Sequence, residues 1–183
     1  RLKVVEERTI GPNLGADSIE SGRFAAFIGF MLVVVFMALS YGVLGIFANF
    51  TLVIVLVYIM ALLSMLQATL TLPGIAGIIL TIGMAVDANV LIYERIKEEV
   101  AKGCSNLYAV KVGFESAFAT IMDSNITTLI AAFLLYTFGV GAIKGFAVTL
   151  TIGIIASMYG ALIITKLMID LWLKYFKPRN LGL

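Results

Sequence analysis

Residues 24–86 read FAAFIGFMLVVVFMALSYGVLGIFANFTLVIVLVYIMALLSMLQATLTLPGIAGIILTIGMAV, and no Asp, Glu, Lys or Arg interrupts them. A helix that crosses a bilayer needs about 20 consecutive apolar residues. The run therefore holds two complete crossings and most of a third. Gly42 to Gly45 reads as a tight connection and Gln67 to Leu72 as a short polar turn. Pro73 suits the first turn of the next helix, where its missing N–H is not needed. The rest of the chain agrees. Of its 183 residues 61% are hydrophobic and 13% charged, with a mean hydropathy of +1.07, whereas a soluble domain carries about 25% charged residues. The solvent around most of this chain is lipid.

Outward from that run, the pattern predicts an all-α integral membrane fold of about five transmembrane helices, over about 18–41, 46–66, 73–100, 116–138 and 145–175. Between the third and fourth, Lys102 to Glu115 reads as a polar connection, partly helical along the membrane surface. Ahead of the transmembrane domain (18–176), Val4 to Ile10 alternates loosely and ends at Gly11-Pro12, a short strand and turn outside the membrane. Residues 1–17 have no core of their own to pack on and read as the stub of another domain. The chain opens on Arg1 with no signal-peptide pattern, as a segment of a longer protein would. Arg95, Lys97, Lys102, Lys111, Lys174, Lys177 and Arg179 fall on one side of the membrane, Arg23 and Lys144 on the other. The positive-inside rule makes the richer side cytoplasmic. The N-terminus is then outside, and the tail 177–183 is cytoplasmic.

Several function classes drop out. There is no histidine and a single cysteine, Cys104. This removes any intrachain disulfide and, in practice, a zinc site of His and Cys ligands. A net charge of +2 is too small to suggest nucleic acid. No glycine-rich phosphate loop is present, so nothing suggests ATP hydrolysis, a cofactor or an enzyme.

Asp87 is the residue to explain. It lies 14 residues after Pro73, about 21 Å down a helix crossing a core about 30 Å thick. A carboxylate so deep costs roughly 2.5–3.5 kcal/mol on insertion scales and faces protein or water, not lipid. A group that can be protonated or charged there suits a proton relay; the alternative is a polar anchor hydrogen-bonded to a neighbouring helix. At 100° per residue, Ala76, Leu80, Gly83, Leu91 and Glu94 share the Asp87 face. Gly74, Gly77, Thr81, Ala85, Ala88 and Asn89 cluster opposite, so both sides are expected to pack against protein. Asn89 then reads mainly as interhelical glue.

The first half of the fourth helix is unusually polar, with Asp123, Ser124, Asn125, Thr127 and Thr128. These form either a hydrated path toward Asp87 or a polar helix end at the interface, the latter being the simpler reading of Asp123. Gly145, Thr149, Gly153 and Ser157 recur every four residues as a small-residue packing stripe on the fifth helix. Gly77, Gly83, Gly145 and Gly153 are the expected helix-packing glycines. The mixed charges of residues 94–99 form a solvated helix end or a docking site for a cytoplasmic partner.

Four segments carry a resemblance: LPGIAGIILTIGMAVDANVLIYERIKEE (72–99), DSNITTLIAA (123–132), KGFAVTLTIG (144–153) and EERTIGPNLGADS (6–18). Together, and in this order, they resemble the SecD branch of the SecD/SecF protein-export family. The segment around Asp87 is closer to SecD than to SecF. The resemblance implies half of a bundle similar to that of the resistance–nodulation–division (RND) transporters. The expected place is the bacterial inner membrane, with SecF, the SecYEG channel and YajC as partners. The expected function is to assist translocation of precursor proteins with the proton-motive force or a sodium gradient. Precursor would be gripped by a periplasmic domain of which residues 1–17 are the end. The resemblance also puts Asp87 on the family's intramembrane aspartate, Asn89 in the same motif, and Asp123, Asn125 and Thr128 in the next. Two other readings stay open: a structural docking module of the translocon without ion conduction, and an RND-type exporter of small molecules or lipids.

Overall fold

A computed structural model describes residues 12–67 and 71–176. The strand expected over residues 4–10, the middle of the polar turn after Gln67 and the tail 177–183 lie outside the described residues. Among those described the chain is helical, in the order α1 (Pro12–Met65), α2 (Leu72–Ala101), α3 (Asn106–Phe138), α4 (Ala142–Tyr159), a π-helical segment (Gly160–Thr165) and α5 (Lys166–Phe176).

Four of these stretches are long and apolar enough to cross a membrane: Ile19–Met65, Leu72–Ala101, Asn106–Phe138 and Ala142–Phe176. The first makes two crossings. Straight, the 54 residues of α1 would reach about 80 Å, but the helix breaks at Gly42, whose φ of 49° and ψ of −121° no side chain adopts comfortably. The two limbs then return along each other. Asn49 Nδ2 donates to the Val34 carbonyl at 3.0 Å, a pair about 22 Å apart on an unbroken helix. Five crossings result, as expected, but the reversal needs Gly42 alone and not a four-residue connection. Gly45 is already back in helix and lies against the Met37 carbonyl.

The two limbs differ in what they bury. In the second, Leu44, Ala48, Leu52, Val55, Ile59 and Leu63 recur at helical spacing, and all are buried. The first buries Met37 and Tyr41, while Phe24, Leu32 and Leu39 are exposed. It lies on the outside of the bundle, where lipid is the natural neighbour of such side chains.

α2 runs through the centre. Thr71 caps it, its Oγ1 accepting from the Gly74 N–H at 3.2 Å, with Pro73 in the first turn. α2 and α4 pack in parallel by alternating threonine with glycine. Thr71 lies against Gly145, Thr149 against Gly74 and Gly77, and Thr81 against Gly153. Close approach suits a helix pair in lipid, where dispersion contacts replace the hydrophobic effect as the force of association. The threonines bond their own helices, Thr81 to the Gly77 carbonyl at 2.8 Å and Thr149 to that of Phe146 at 2.9 Å. Their methyl and hydroxyl groups can then face a partner without leaving a donor unpaired.

Two boundaries depart from expectation. α3 begins at Asn106, ten residues before Ser116, so most of the supposed polar connection is helix. Ala109, Val110, Gly113, Phe114 and Ala117 form its buried face, and Gly113 lies against the backbone of Ile96 on α2. Lys111 and Glu115, on the opposite face, gave the segment its polar look. The last crossing is interrupted by the π-helical turn at Gly160–Thr165. There Gly160 lies against Val55 and Thr51, and the Thr51 and Thr165 hydroxyls share a buried 2.9 Å hydrogen bond.

Candidate functional site

Asp87 sits on α2 where the helix shows one packed and one open side. Gly74, Gly77, Thr81, Ala85, Ala88 and Asn89 are buried against the rest of the chain, as the helical wheel predicts. The other side is not. Ala76, Leu80, Gly83, Asp87, Leu91 and Glu94 are all exposed, a continuous stripe over five turns. The expectation that both sides pack therefore holds for one within this chain. A Cβ on Gly83 would meet nothing within 4 Å, so Gly83 is not a packing glycine of this bundle, whereas Gly77, Gly145 and Gly153 are.

Next to the stripe, α3 turns its polar residues toward Asp87. Met84, Asp87, Ala88 and Leu91 of α2 and Ile121, Ser124, Asn125 and Thr128 of α3 line one pocket of about 150 Å³. Of the residues singled out in sequence, the fold thus brings Asp87, Ser124, Asn125 and Thr128 together. Ser124 lies four residues before Thr128, which puts both on one face. Asp123 is outside the pocket and exposed, with Thr127 bonding the Asp123 carbonyl at 2.9 Å. Asn89 is on the far side, 2% exposed, and its Oδ1 finds no hydrogen-bond partner among the described residues.

The hydrogen bonding of the α3 wall limits its chemistry. Ser124 Oγ and Asn125 Nδ2 donate to the Ile121 carbonyl at 3.1 and 2.7 Å, and Thr128 Oγ1 to that of Ser124 at 2.9 Å. Each of these three groups bonds its own helix, while the Asn125 amide keeps a second N–H, so the wall offers acceptor lone pairs and one donor to whatever enters the pocket. Water, or a carboxyl group in either protonation state, fits such a wall. No cation touches Asp87 among the described residues.

Toward the C-terminal end of α2 the same stripe reaches Glu94. The Tyr41 hydroxyl donates to Glu94 Oε1 at 2.9 Å, the Tyr41 and Tyr93 rings are 5.5 Å apart, and Lys97 Nζ stands 5.7 Å from the Tyr41 ring centre. Sequence reading missed this cluster, because it joins residues 53 apart. Beyond it the helix ends in exposed ion pairs, Arg95 with Glu98 at 2.8 Å and Lys102 with Glu99 at 2.5 Å. The Glu99 carboxylate holds the Lys102 ammonium above its ordinary pKa.

Residues 1–175 match the family described as "Protein export membrane protein SecD/SecF, C-terminal". Among curated relatives, the protein translocase subunit SecD of Rickettsia prowazekii is 76% identical over all of this chain. The subunit of the same name from Acetobacter pasteurianus is 51% identical over 98% of it. The chain spans 35% and 34% of those relatives, about a third of their length. Among solved structures, SecDF of Thermus thermophilus, described as a translocon-associated membrane protein, superposes with a TM-score of 0.90 at 43% identity. That match covers 94% of this chain and 24% of the other. A SecDF structure in a super-membrane-facing form gives 0.83 at 44% identity, with the same coverage. The chain belongs to the SecD/SecF family of protein-export membrane proteins and corresponds to its C-terminal membrane region.

Proposed function

We propose that this chain is the ion-coupling membrane portion of a SecD-type translocase subunit, and that Asp87 carries the proton or sodium ion. The observation behind it is the position of Asp87, exposed on an uncovered stripe of a central helix beside a small pocket to which α3 contributes Ser124, Asn125 and Thr128. An ionised carboxylate at that depth requires water or a partner surface. The stripe, with Leu80, Gly83 and Leu91 around Asp87, offers a helix-sized seam for SecF. The pocket offers water a route along α3. Protonation would make the seam neutral and let it close; ionisation would favour a wetter, more open one. The first limb of α1, tied to α2 through Tyr41 and Glu94, would pass the movement to a periplasmic domain that grips the precursor.

In this reading the protein works as a transport subunit and not an enzyme. Its place is the bacterial inner membrane, N-terminus periplasmic and C-terminus cytoplasmic, with SecF, the SecYEG channel and YajC as neighbours. Asn125 and Thr128 line the ion's path; Asp123 and Asn89 act at a distance from it.

Precursor export into vesicles holding the full-length subunit and its partner tests this. Asp87→Asn should abolish the stimulation of export by a proton or sodium gradient while leaving complex assembly and ATP-driven export intact. Gradient-stimulated export that survives the substitution would reduce Asp87 to a packing residue and the chain to a docking scaffold.

A further inference from the structure

On the other side of α3 from Asp87, at the opposite end of the bundle, lies a second cavity. It holds about 350 Å³ and is walled by Leu129, Phe133 and Tyr136 of α3, by Val148 and Thr151 of α4, and by Leu66 at the end of α1. Leu129, Phe133 and Tyr136 follow at four and three residues and so form one ridge. Thr151 spends its hydroxyl on the Ala147 carbonyl at 2.8 Å, which makes its contribution to the wall apolar. The result is an elongated greasy groove open to the bilayer.

Its mouth is charged. Lys144, in the first turn of α4, places Nζ 5.7 Å from the centre of the Tyr136 ring, at the end of the ridge. Lys144 is exposed and pairs with no carboxylate among the described residues. By contrast Lys97, near the end of α2, and Lys102, just after it, each have a glutamate partner. A free ammonium at the end of an apolar slot is complementary to an amphiphile with an anionic head and a hydrocarbon tail. The tyrosine stabilises the cation against its ring face and keeps it over the slot.

We propose that this groove is a specific site for an anionic phospholipid, its phosphate on Lys144 and an acyl chain against Leu129, Phe133 and Val148. The occupant is bilayer lipid, because the slot opens sideways among exposed apolar residues and its wall provides no hydrogen-bonding edge for a peptide. A bound chain would fill the gap between the outer halves of α3 and α4, and lipid charge would then bias how these helices meet.

The test is electron spin resonance of spin-labelled phosphatidylglycerol and phosphatidylcholine, with the full-length subunit and its partner in phosphatidylcholine bilayers. Wild type should immobilise phosphatidylglycerol several-fold more strongly at the site, with the preference falling as salt rises. Lys144→Gln should remove the preference and Lys144→Arg keep it; Val148→Trp should fill the groove and release one immobilised lipid of either kind. Equal immobilisation of the two lipids by wild type would overturn the proposal, as would a preference that survives Lys144→Gln. Should the Gln variant fail to assemble, the salt dependence in wild type and the Val148→Trp count decide the matter. A groove closed by a neighbouring protein chain would leave both lipids unaffected by Val148→Trp and would also overturn it.

Discussion

The Tyr41 hydroxyl donates a 2.9 Å hydrogen bond to Glu94 Oε1, joining the last turn of the first limb of α1 to the helix that carries Asp87. Glu94 lies seven residues after Asp87, two turns further along the same face. The bond is therefore a direct tie between the outermost helix and the central one. A hydrogen bond to a charged group contributes about 1.5–3 kcal/mol when sheltered and less when half-exposed, as Glu94 is. Tyr41→Phe keeps the ring contact with Tyr93 and removes only this bond. It should cost about 1 kcal/mol and lower the apparent melting temperature of the full-length protein slightly. Gradient-stimulated export should fall more than basal export. Equal effects on both would mean that the bond stabilises the fold without transmitting anything.

Glycine packing separates the buried side of α2 from its open stripe. A Cβ on Gly153 would come within 2.8 Å of Thr81 Cβ, and Thr81, being β-branched and buried, has no other rotamer to retreat into cheaply. Gly153→Ala should destabilise the bundle by about 1–3 kcal/mol, the ordinary cost of overpacking. Gly83→Ala meets open space and should leave melting unchanged. Gly83→Leu should instead weaken co-purification of the partner subunit, because it roughens the stripe beside Asp87. Thermal melts and pull-downs of the same variants check both halves.

The threonine pair at the π-helical turn gives a cleaner energetic test. Thr51 is 1% and Thr165 0% exposed, and their hydroxyls meet at 2.9 Å. Thr51→Val leaves the Thr165 hydroxyl without its partner in a dry site, so it should cost about 0.5–2 kcal/mol. Adding Thr165→Val should recover much of the loss, because two valines leave nothing unpaired. A double-mutant cycle by thermal or denaturant unfolding reads the coupling. Additive single effects would mean that the hydroxyls do not depend on each other.

How much of this was legible beforehand follows from which patterns are local. The charge-free run and its Gly and Pro breaks fix the crossings, because the bilayer sets their length. Asp87 stands out because nothing around it is charged. The helical wheel sorts Thr81, Ala85 and Asn89 correctly to the buried side, since that needs only 3.6-residue periodicity. The wheel cannot show that Leu80 and Gly83 are left open by this chain, because small and apolar residues suit either a protein seam or lipid. The start of α3 was obscured by Lys111 and Glu115, whose charge outweighed the buried ridge of Ala109, Val110, Gly113 and Phe114. The π-helical turn has no periodic signature. The Tyr41–Glu94 tie depends on how distant helices meet, which no single segment encodes.

Whether the Asp87 pocket is wet can be read residue by residue with cysteine chemistry. Only the thiolate reacts with hydrophilic maleimides or thiosulfonates, and a thiol ionises in water but not in hydrocarbon. Cys104 is the one cysteine of this sequence and is free, so Cys104→Ser removes the background thiol of this region. In that background Asn125→Cys and Thr128→Cys, which line the pocket, should react with reagent added from the side of the membrane on which α2 ends. Phe133→Cys, on the same helix but 66% exposed toward the bilayer, should not. Rates for the two pocket positions should exceed that of the lipid-facing one by at least about tenfold, in keeping with the thiolate's being the reactive form. They should fall when Asp87→Asn is added, because an uncharged side chain holds less water beside α3. Pocket positions as inert as Phe133→Cys, in the complex with the partner subunit, would make the cavity dry and remove the route by which an ion could reach Asp87.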